Sequence, residues 1–67
     1  MSARVVRVGD LAKALTALSP SGLVELDGLR LDARSERAFI PAGAAVVVLR
    51  GDPTGYVVRQ ISPDYPA

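Results

Sequence analysis

The chain has 67 residues, 49% of them hydrophobic, and eight basic and seven acidic residues give it a formal net charge of +1. A chain this short forms one domain that buries only about 60% of its unfolded surface, so it needs an apolar-rich core. It has neither cysteine nor histidine, which excludes disulfides, thiol nucleophiles and the usual zinc sites. A charge so small and so evenly spread does not indicate a polyanionic partner.

The longest apolar stretch, Ala44 to Leu49, is far below the roughly 20 residues that a membrane-spanning helix needs. Charged residues near the N-terminus, including Arg4 and Arg7, interrupt any signal-peptide pattern. We therefore expect the chain, taken alone, to be soluble.

The N-terminal part contains one ambiguous segment. Residues 1–8 are predicted to be an N-terminal extension or a short valine-rich strand that ends at Gly9. Asp10 could then cap a helix, because apolar residues from Leu11 to Leu18 recur at the spacing of an amphipathic stripe. The alternative is a strand whose alternation is blurred by alanines. The residues alone favour the helix.

The clearest local signal is the Asp27-Gly28 pair, which lies between two alternating runs. This dipeptide is typical of a type I′ hairpin turn, so Asp27 and Gly28 are predicted to be structural turn residues. The turn sets a register with one aliphatic face and one opposite-charge pair. The predicted pairs are Leu26 with Leu29, Glu25 with Arg30, and Val24 with Leu31.

The segments around the hairpin alternate between turns and strands. Residues 20–22 are predicted to form a turn or loop that introduces the hairpin. Residues 33–43 should be a connection in which Phe39 and Ile40 are tucked under the core, followed by a turn at residues 41–43. A central strand over residues 44–50, covered on both faces, should come next. A turn at residues 52–55, a last strand over residues 56–61 and a flexible tail over residues 62–67 complete the chain.

Few residues could carry out catalysis. A catalytic dyad of Lys13 with a serine is chemically conceivable. Asp27 and Asp32 could form an acid–base pair, but Asp27 is better explained as a turn residue and Asp32 as an outward-facing residue of the hairpin. A metal site of oxygen ligands would need a denser acidic loop than residues 32–36, where arginines interleave, and no glycine-rich phosphate loop is present. We expect no catalytic residue, no metal and no cofactor. The groups considered are Lys13, Ser19, Ser21, Asp27, Asp32, Ser35 and Glu36.

Five short strands in so small a chain are typical of the oligonucleotide/oligosaccharide-binding (OB) barrel. Such barrels often bind single-stranded nucleic acids by stacking the bases on aromatic side chains. Here Tyr56 and Phe39 are the only aromatics within the predicted barrel, and neighbouring acids offset its arginines. An ordinary mixed-charge surface is therefore favoured over nucleic-acid binding. The arginines are Arg30, Arg34, Arg37, Arg50 and Arg59.

A longer series of motifs extends on both sides of the hairpin. A Pro-Ser-Gly turn, a strand, Asp-Gly, a strand, Asp-Ala-Arg-Ser-Glu, Phe-Ile and a glycine follow one another in a fairly specific order. The members are Gly9, Ala14-Leu15-Thr16, Leu18, Pro20-Ser21-Gly22, Val24, Leu26-Asp27-Gly28, Arg30, Asp32-Ala33-Arg34-Ser35-Glu36, Phe39-Ile40, Gly43, Val46, Val48 and Val58.

With this series, residues 9–61 resemble the C-terminal domain of NfeD-like proteins. The resemblance implies an all-β fold, a small five-stranded OB-fold-like barrel with no substantial helix, and it makes residues 11–18 the first strand. It also implies a role beside stomatin- and flotillin-like membrane scaffold proteins. The location would be cytoplasmic, at the membrane through the full-length protein or a partner. The protease nucleophile of longer members is not in this chain, so their activity is not transferred.

Three positions depart from the pattern of the family. Ala12 and Arg37 stand where glycines are common, and Leu23 stands where a lysine is common. Leu23 points away from the aliphatic hairpin face, so it could be a partner contact or an incidental surface leucine. Leu23 and Arg34 are the candidate partner contacts. The sequence thus predicts a non-catalytic protein-interaction module, with a small single-stranded nucleic-acid-binding barrel as the alternative.

Overall fold

A computed structural model describes residues 6–61 of the chain. Its five strands are β1 Leu11–Ala14, β2 Ser21–Leu26, β3 Leu29–Ser35, β4 Ala45–Asp52 and β5 Gly55–Gln60. They close into a barrel in the order β1-β2-β3-β5-β4, and β4 pairs back with β1. Neighbouring strands are antiparallel except β3 and β5, which are parallel. The described residues contain no helix, so the predicted all-β five-stranded barrel is confirmed.

The β2–β3 hairpin forms as the sequence predicts. Its two turn residues, Asp27 and Gly28, have φ angles of 51° and 85°, and a type I′ turn requires positive φ at both positions. The three predicted cross-strand pairs are all present, and pairing continues to Ser21 opposite Arg34. The aliphatic face of the hairpin is directed into the barrel, where Val24 and Leu26 are buried.

The prediction of a helix after Asp10, made from the residues alone, is wrong. Residues 11–14 form β1, which pairs with β2 on one side and β4 on the other. The carboxylate of Asp10 accepts a hydrogen bond from the Arg7 N–H at 2.9 Å. Of the proposed helical stripe, Leu11 and Leu15 are exposed, whereas Ala14 and Leu18 are buried. Pairing on both edges of β1 thus overrides the weak helical preference.

Several predicted boundaries shift because strand pairing extends further than the local pattern suggests. Ser21 and Gly22 belong to β2 rather than to a loop, and β3 continues to Ser35 alongside β5. Residues 6–8 are not in a strand, and the remainder of the predicted short strand lies outside the described residues. The predicted tail over residues 62–67 also lies outside them.

The two hairpin-forming strands β4 and β5 agree with the predicted strands apart from their ends. A two-residue turn at Pro53 and Thr54 joins them, as expected. The prediction that β4 is covered on both faces is only half right. Val46 and Val48 are buried inside the barrel, while Val47 and Leu49 on the other side are half-buried.

The core is aliphatic and includes a residue from the long β3–β4 connection. Ile40 is 2% exposed, and its backbone exchanges hydrogen bonds with that of Leu18 at 2.8 and 3.1 Å. Phe39, expected in the core beside it, is instead 61% exposed. Adjacent residues of an extended segment point to opposite sides, so only one of the pair can enter the barrel. The core residues are Ala14, Leu18, Val24, Leu26, Ala33, Ile40, Val46, Val48 and Val58.

Candidate partner-binding groove

A groove of about 450 Å³ lies where β2 and β3 meet the β4–β5 turn. We call it the β3 groove. It contains both candidate contacts predicted from the sequence, Leu23 on β2 and Arg34 on β3, which the hairpin register places on the same side. The β2–β3 surface and the β4–β5 loop are also the elements with which OB-folds bind ligands. The other groove residues are Ser21, Gly22, Asp32, Ala33, Thr54, Gly55 and Tyr56.

Leu23 forms an apolar part of the groove and is held in place by the β1–β2 connection. Its N–H donates to the Thr16 hydroxyl at 3.1 Å. Its carbonyl oxygen accepts hydrogen bonds from the N–H groups of Leu15 at 2.8 Å and Thr16 at 3.3 Å. The side chain is half-buried rather than fully exposed as the sequence suggested. Leu23 therefore has a fixed backbone and an accessible apolar side chain.

Arg34 is fixed by a polar cluster at the other side of the groove. Its Nη2 donates to Asp52 Oδ2 at 2.9 Å, and its Nη1 donates to the Thr54 hydroxyl at 3.2 Å. Asp52 Oδ1 also accepts from the Thr54 hydroxyl at 2.7 Å and from the Thr54 N–H at 2.9 Å. The Thr54 hydroxyl bond, followed by the bond from Arg34, lowers the pKa of Asp52 from 3.8 to about 2.

The β3 groove and its edge carry no excess of positive charge. Arg34 is paired with Asp52, Asp32 lies across from Leu23, and Arg30 lies across from Glu25. Tyr56 is half-buried and packs against the core. The groove is therefore not a basic channel with an exposed row of aromatic side chains, which is the arrangement that single-stranded nucleic acids require.

Comparison with known proteins assigns this barrel to a family. The family model described as "NfeD-like C-terminal, partner-binding domain" matches residues 4–59. The chain belongs to the NfeD family. The predicted resemblance is thereby confirmed, and with it the prediction of a protein-interaction module.

A solved structure supports the assignment of this NfeD-like domain. The C-terminal domain of stomatin operon partner protein 1510-C from Pyrococcus horikoshii is similar to it with a TM-score of 0.76 and 25% sequence identity. The match covers 82% of this chain and 88% of that one. A search of curated proteins found no match.

A second surface feature of the NfeD-like domain was missed by sequence reasoning. The exposed Phe39 lies beside a pocket of about 280 Å³, together with Arg37 from its own loop and Arg59 from β5. The signal that could have found it is the adjacency of Phe39 and Ile40, since a single extended step turns one of two neighbouring side chains outward.

The pairs considered for catalysis are not brought together. Ser21 and Asp32 both line the β3 groove, whereas Asp27 lies in the hairpin turn and Lys13 lies on β1 outside that groove. The Ser35 hydroxyl donates to the Ala38 carbonyl oxygen and accepts from the Arg37 N–H within its own loop. Over residues 6–61, no group of three or more acidic side chains is placed to hold a metal ion, and no helix could cross a membrane.

Proposed function

We propose that this NfeD-like domain binds a stomatin-like protein through the β3 groove and has no catalytic activity of its own. The observation that carries the proposal is that Leu23 and Arg34 lie in one preformed groove of a domain whose family is described by partner binding. The similar structure is a stomatin operon partner protein, which supports a partner of the stomatin class. The interaction would take place at the cytoplasmic face of a membrane.

The groove has the composition of a protein-binding hot spot. A half-buried aliphatic side chain, Leu23, is bordered by polar groups such as Arg34 and Thr54 whose hydrogen bonds are already made. Apolar centres with satisfied polar rims are typical of protein–protein interfaces. Side chains that are already fixed lose little entropy on binding, which lowers the cost of docking a protein partner in the groove.

The charges of the β3 groove favour a protein over a nucleic acid as the partner. Arg34 already donates to Asp52, so a phosphate would have to compete with a carboxylate for the same donors. A domain that neutralises few phosphates binds nucleic acid weakly, because few counterions are released. We therefore expect no measurable salt-dependent binding of labelled single-stranded DNA or RNA.

The test measures the affinity of the purified chain for the stomatin-like protein of the same organism by calorimetry. Leu23→Ala should weaken binding about tenfold, which corresponds to about 1.4 kcal/mol and is typical of an interface hot spot. Leu11→Ala is the matched control, because Leu11 is 67% exposed on β1 and outside the groove. Its affinity should stay within about twofold of the wild type.

Two results would count against this function. If the wild-type chain shows no detectable binding, the proposal of a stomatin-like partner is wrong. If the Leu23→Ala and wild-type chains bind with equal affinity, and circular dichroism shows that both are folded, the β3 groove is not the binding site.

A further inference from the structure

The exposed Phe39 is held on a rigid loop at the end of the barrel. The Glu36 N–H donates to the Val58 carbonyl oxygen at 3.0 Å, which fixes the start of the loop. Ser35 bonds to the Ala38 carbonyl oxygen within the loop, and Ile40 anchors its end by pairing with Leu18. An aromatic side chain presented in this way loses little conformational entropy when a partner covers it.

Two guanidinium groups accompany Phe39. Arg37 and Arg59 line the same pocket as the phenyl ring, and neither makes an ion pair with another of the described residues. Arg34, in contrast, is tied to Asp52 at 2.9 Å. The pocket beside Phe39 therefore offers two guanidinium groups that are available to an incoming carboxylate, and only Glu36 contributes negative charge to its lining.

The apolar character of this surface continues across the outside of the sheet. Arg59 on β5 is in register with Val47 on β4, which is in register with Leu11 on β1. Val47 is half-buried and Leu11 is 67% exposed. Across the outer face of the barrel, the order is therefore Phe39, then the guanidinium group of Arg59, then the aliphatic side chains of Val47 and Leu11.

We propose that this surface, defined by Arg37, Phe39 and Arg59, is a second docking site that binds a protein segment in which acidic side chains adjoin an apolar one. The apolar side chain packs on Phe39 and enters the pocket, and the carboxylates pair with Arg37 and Arg59. Aromatic residues and arginine are the residue types enriched at protein interfaces, and carboxylates match the fork geometry of arginine.

The charge of the pocket favours this occupant over others. At about 280 Å³, the pocket lies at the lower end of the size range of small-molecule cavities and has room for an apolar side chain. Two arginines beside one glutamate are fewer cations than the clusters of about four to eight that bind anionic lipids. One aromatic ring likewise does not provide the row of stacking platforms that single-stranded nucleic acids use.

This site is distinct from the β3 groove. The two surfaces lie at opposite ends of the parallel β3–β5 pair, since the groove includes Gly55 at the start of β5 and the pocket includes Gln60 at its end. A protein partner could therefore occupy one without covering the other. The second site does not depend on the identity of the partner that binds the groove.

The test is a titration of the isotope-labelled chain, followed by amide chemical shifts, with a synthetic peptide that alternates glutamate and leucine. We expect shifts confined to residues 35–40 and 59–60, and none of comparable size from the matching lysine–leucine peptide. Phe39→Ala and the double variant Arg37→Glu/Arg59→Glu should each weaken binding at least fivefold. Leu15→Ala, an exposed leucine on another part of the barrel, should leave it within twofold.

Three results would overturn the second site. The first is an absence of shifts with the glutamate peptide at millimolar concentration. The second is equal binding of the lysine peptide or of the folded Phe39→Ala variant. The third is binding to vesicles of anionic lipid, measured by co-sedimentation, without binding of the peptide, which would identify a membrane surface as the occupant.

Discussion

Arg34 reaches across β5 to bond with Asp52, although the strands that carry these two residues are not neighbours in the barrel. Its Nη2 lies 2.9 Å from Asp52 Oδ2. The intervening strand contributes Val57, which is in register with Arg34 and only 1% exposed although it is not part of the core cluster. The ion pair therefore joins β3 to the β4–β5 turn and defines one side of the β3 groove.

This cluster makes part of the stability depend on pH. The pKa of Asp52 is lowered to about 2 in the folded chain, first by the Thr54 hydroxyl and then by Arg34. In the unfolded chain it returns to about 3.9. Because the folded value is the lower one, the contribution of Asp52 to stability is present above about pH 4 and is lost as the pH falls through about 2.

Asp52 should therefore titrate with a midpoint near pH 2, measured from its carboxyl carbon shift. Thr54→Ala should raise the pKa, whereas Thr54→Ser, which keeps the hydroxyl, should leave it near the wild-type value. Denaturant unfolding at several pH values should show less acid destabilisation for Asp52→Asn than for the wild type. A wild-type midpoint near 3.8 would contradict the cluster.

The backbone conformation of Gly28 should be important for the stability of the hairpin turn. A Cβ added at Gly28 would meet no atom within 4 Å, so Gly28→Ala is penalised only by its φ of 85°. The expected loss is about 1–2 kcal/mol of unfolding free energy. Urea unfolding of the Gly28→Ala variant measures this, and an unchanged stability would refute the turn assignment.

The parts of the fold that could be predicted are those in which local chemistry and long-range pairing agree. Asp27-Gly28 sets the turn and the register together, so the hairpin follows from eight residues. The segment after Asp10 could not be predicted in this way, because a four-residue strand rich in alanine has no strand pattern of its own. Its structure depends on β2 and β4, which lie further along the chain.

The candidate site was predictable only in part for a similar reason. The sequence predicts Leu23 and Arg34 as candidate partner contacts, but their common groove depends on the β4–β5 turn, which no local pattern connects to them. The pairing of Arg34 with Asp52 spans 18 positions of sequence. The sequence predicts Phe39 in the core because phenylalanine side chains are usually buried. The bridge between Ile40 and Leu18 instead decides that Ile40, and not Phe39, points into the barrel.

Burial inside the barrel should separate two leucines of equal size. Leu18 is fully buried and Leu11 is 67% exposed. Leu18→Ala should reduce the unfolding free energy by about 2–5 kcal/mol, since it removes buried methyl groups and leaves a cavity. Leu11→Ala should change it by less than about 0.5 kcal/mol. Thermal and urea unfolding measure both, and similar effects of the two substitutions would argue against the barrel interior described for Leu18.

The β1–β2 connection passes so close to β2 that only a glycine should fit at position 22. A Cβ there would lie close to the Thr16 hydroxyl, 2.7 Å from the Ala17 carbonyl oxygen and 2.9 Å from the Leu18 side chain. Backbone atoms cannot move aside as the end of a flexible side chain can, so Gly22→Ala should cost about 1–3 kcal/mol through overpacking.

The same substitution should also disturb the β3 groove, because Thr16 accepts the Leu23 N–H at 3.1 Å. We expect Gly22→Ala to accelerate amide exchange at Leu23 as well as to lower the unfolding midpoint. Ser21→Ala, at the exposed neighbouring position, is the control and should change neither. Because Leu23 is the apolar contact proposed for the partner, Gly22→Ala should weaken partner binding even where the barrel remains folded. If the Leu23 amide of a destabilised Gly22→Ala chain exchanged at the same rate as in the wild type, the connection would not be what holds Leu23 in place.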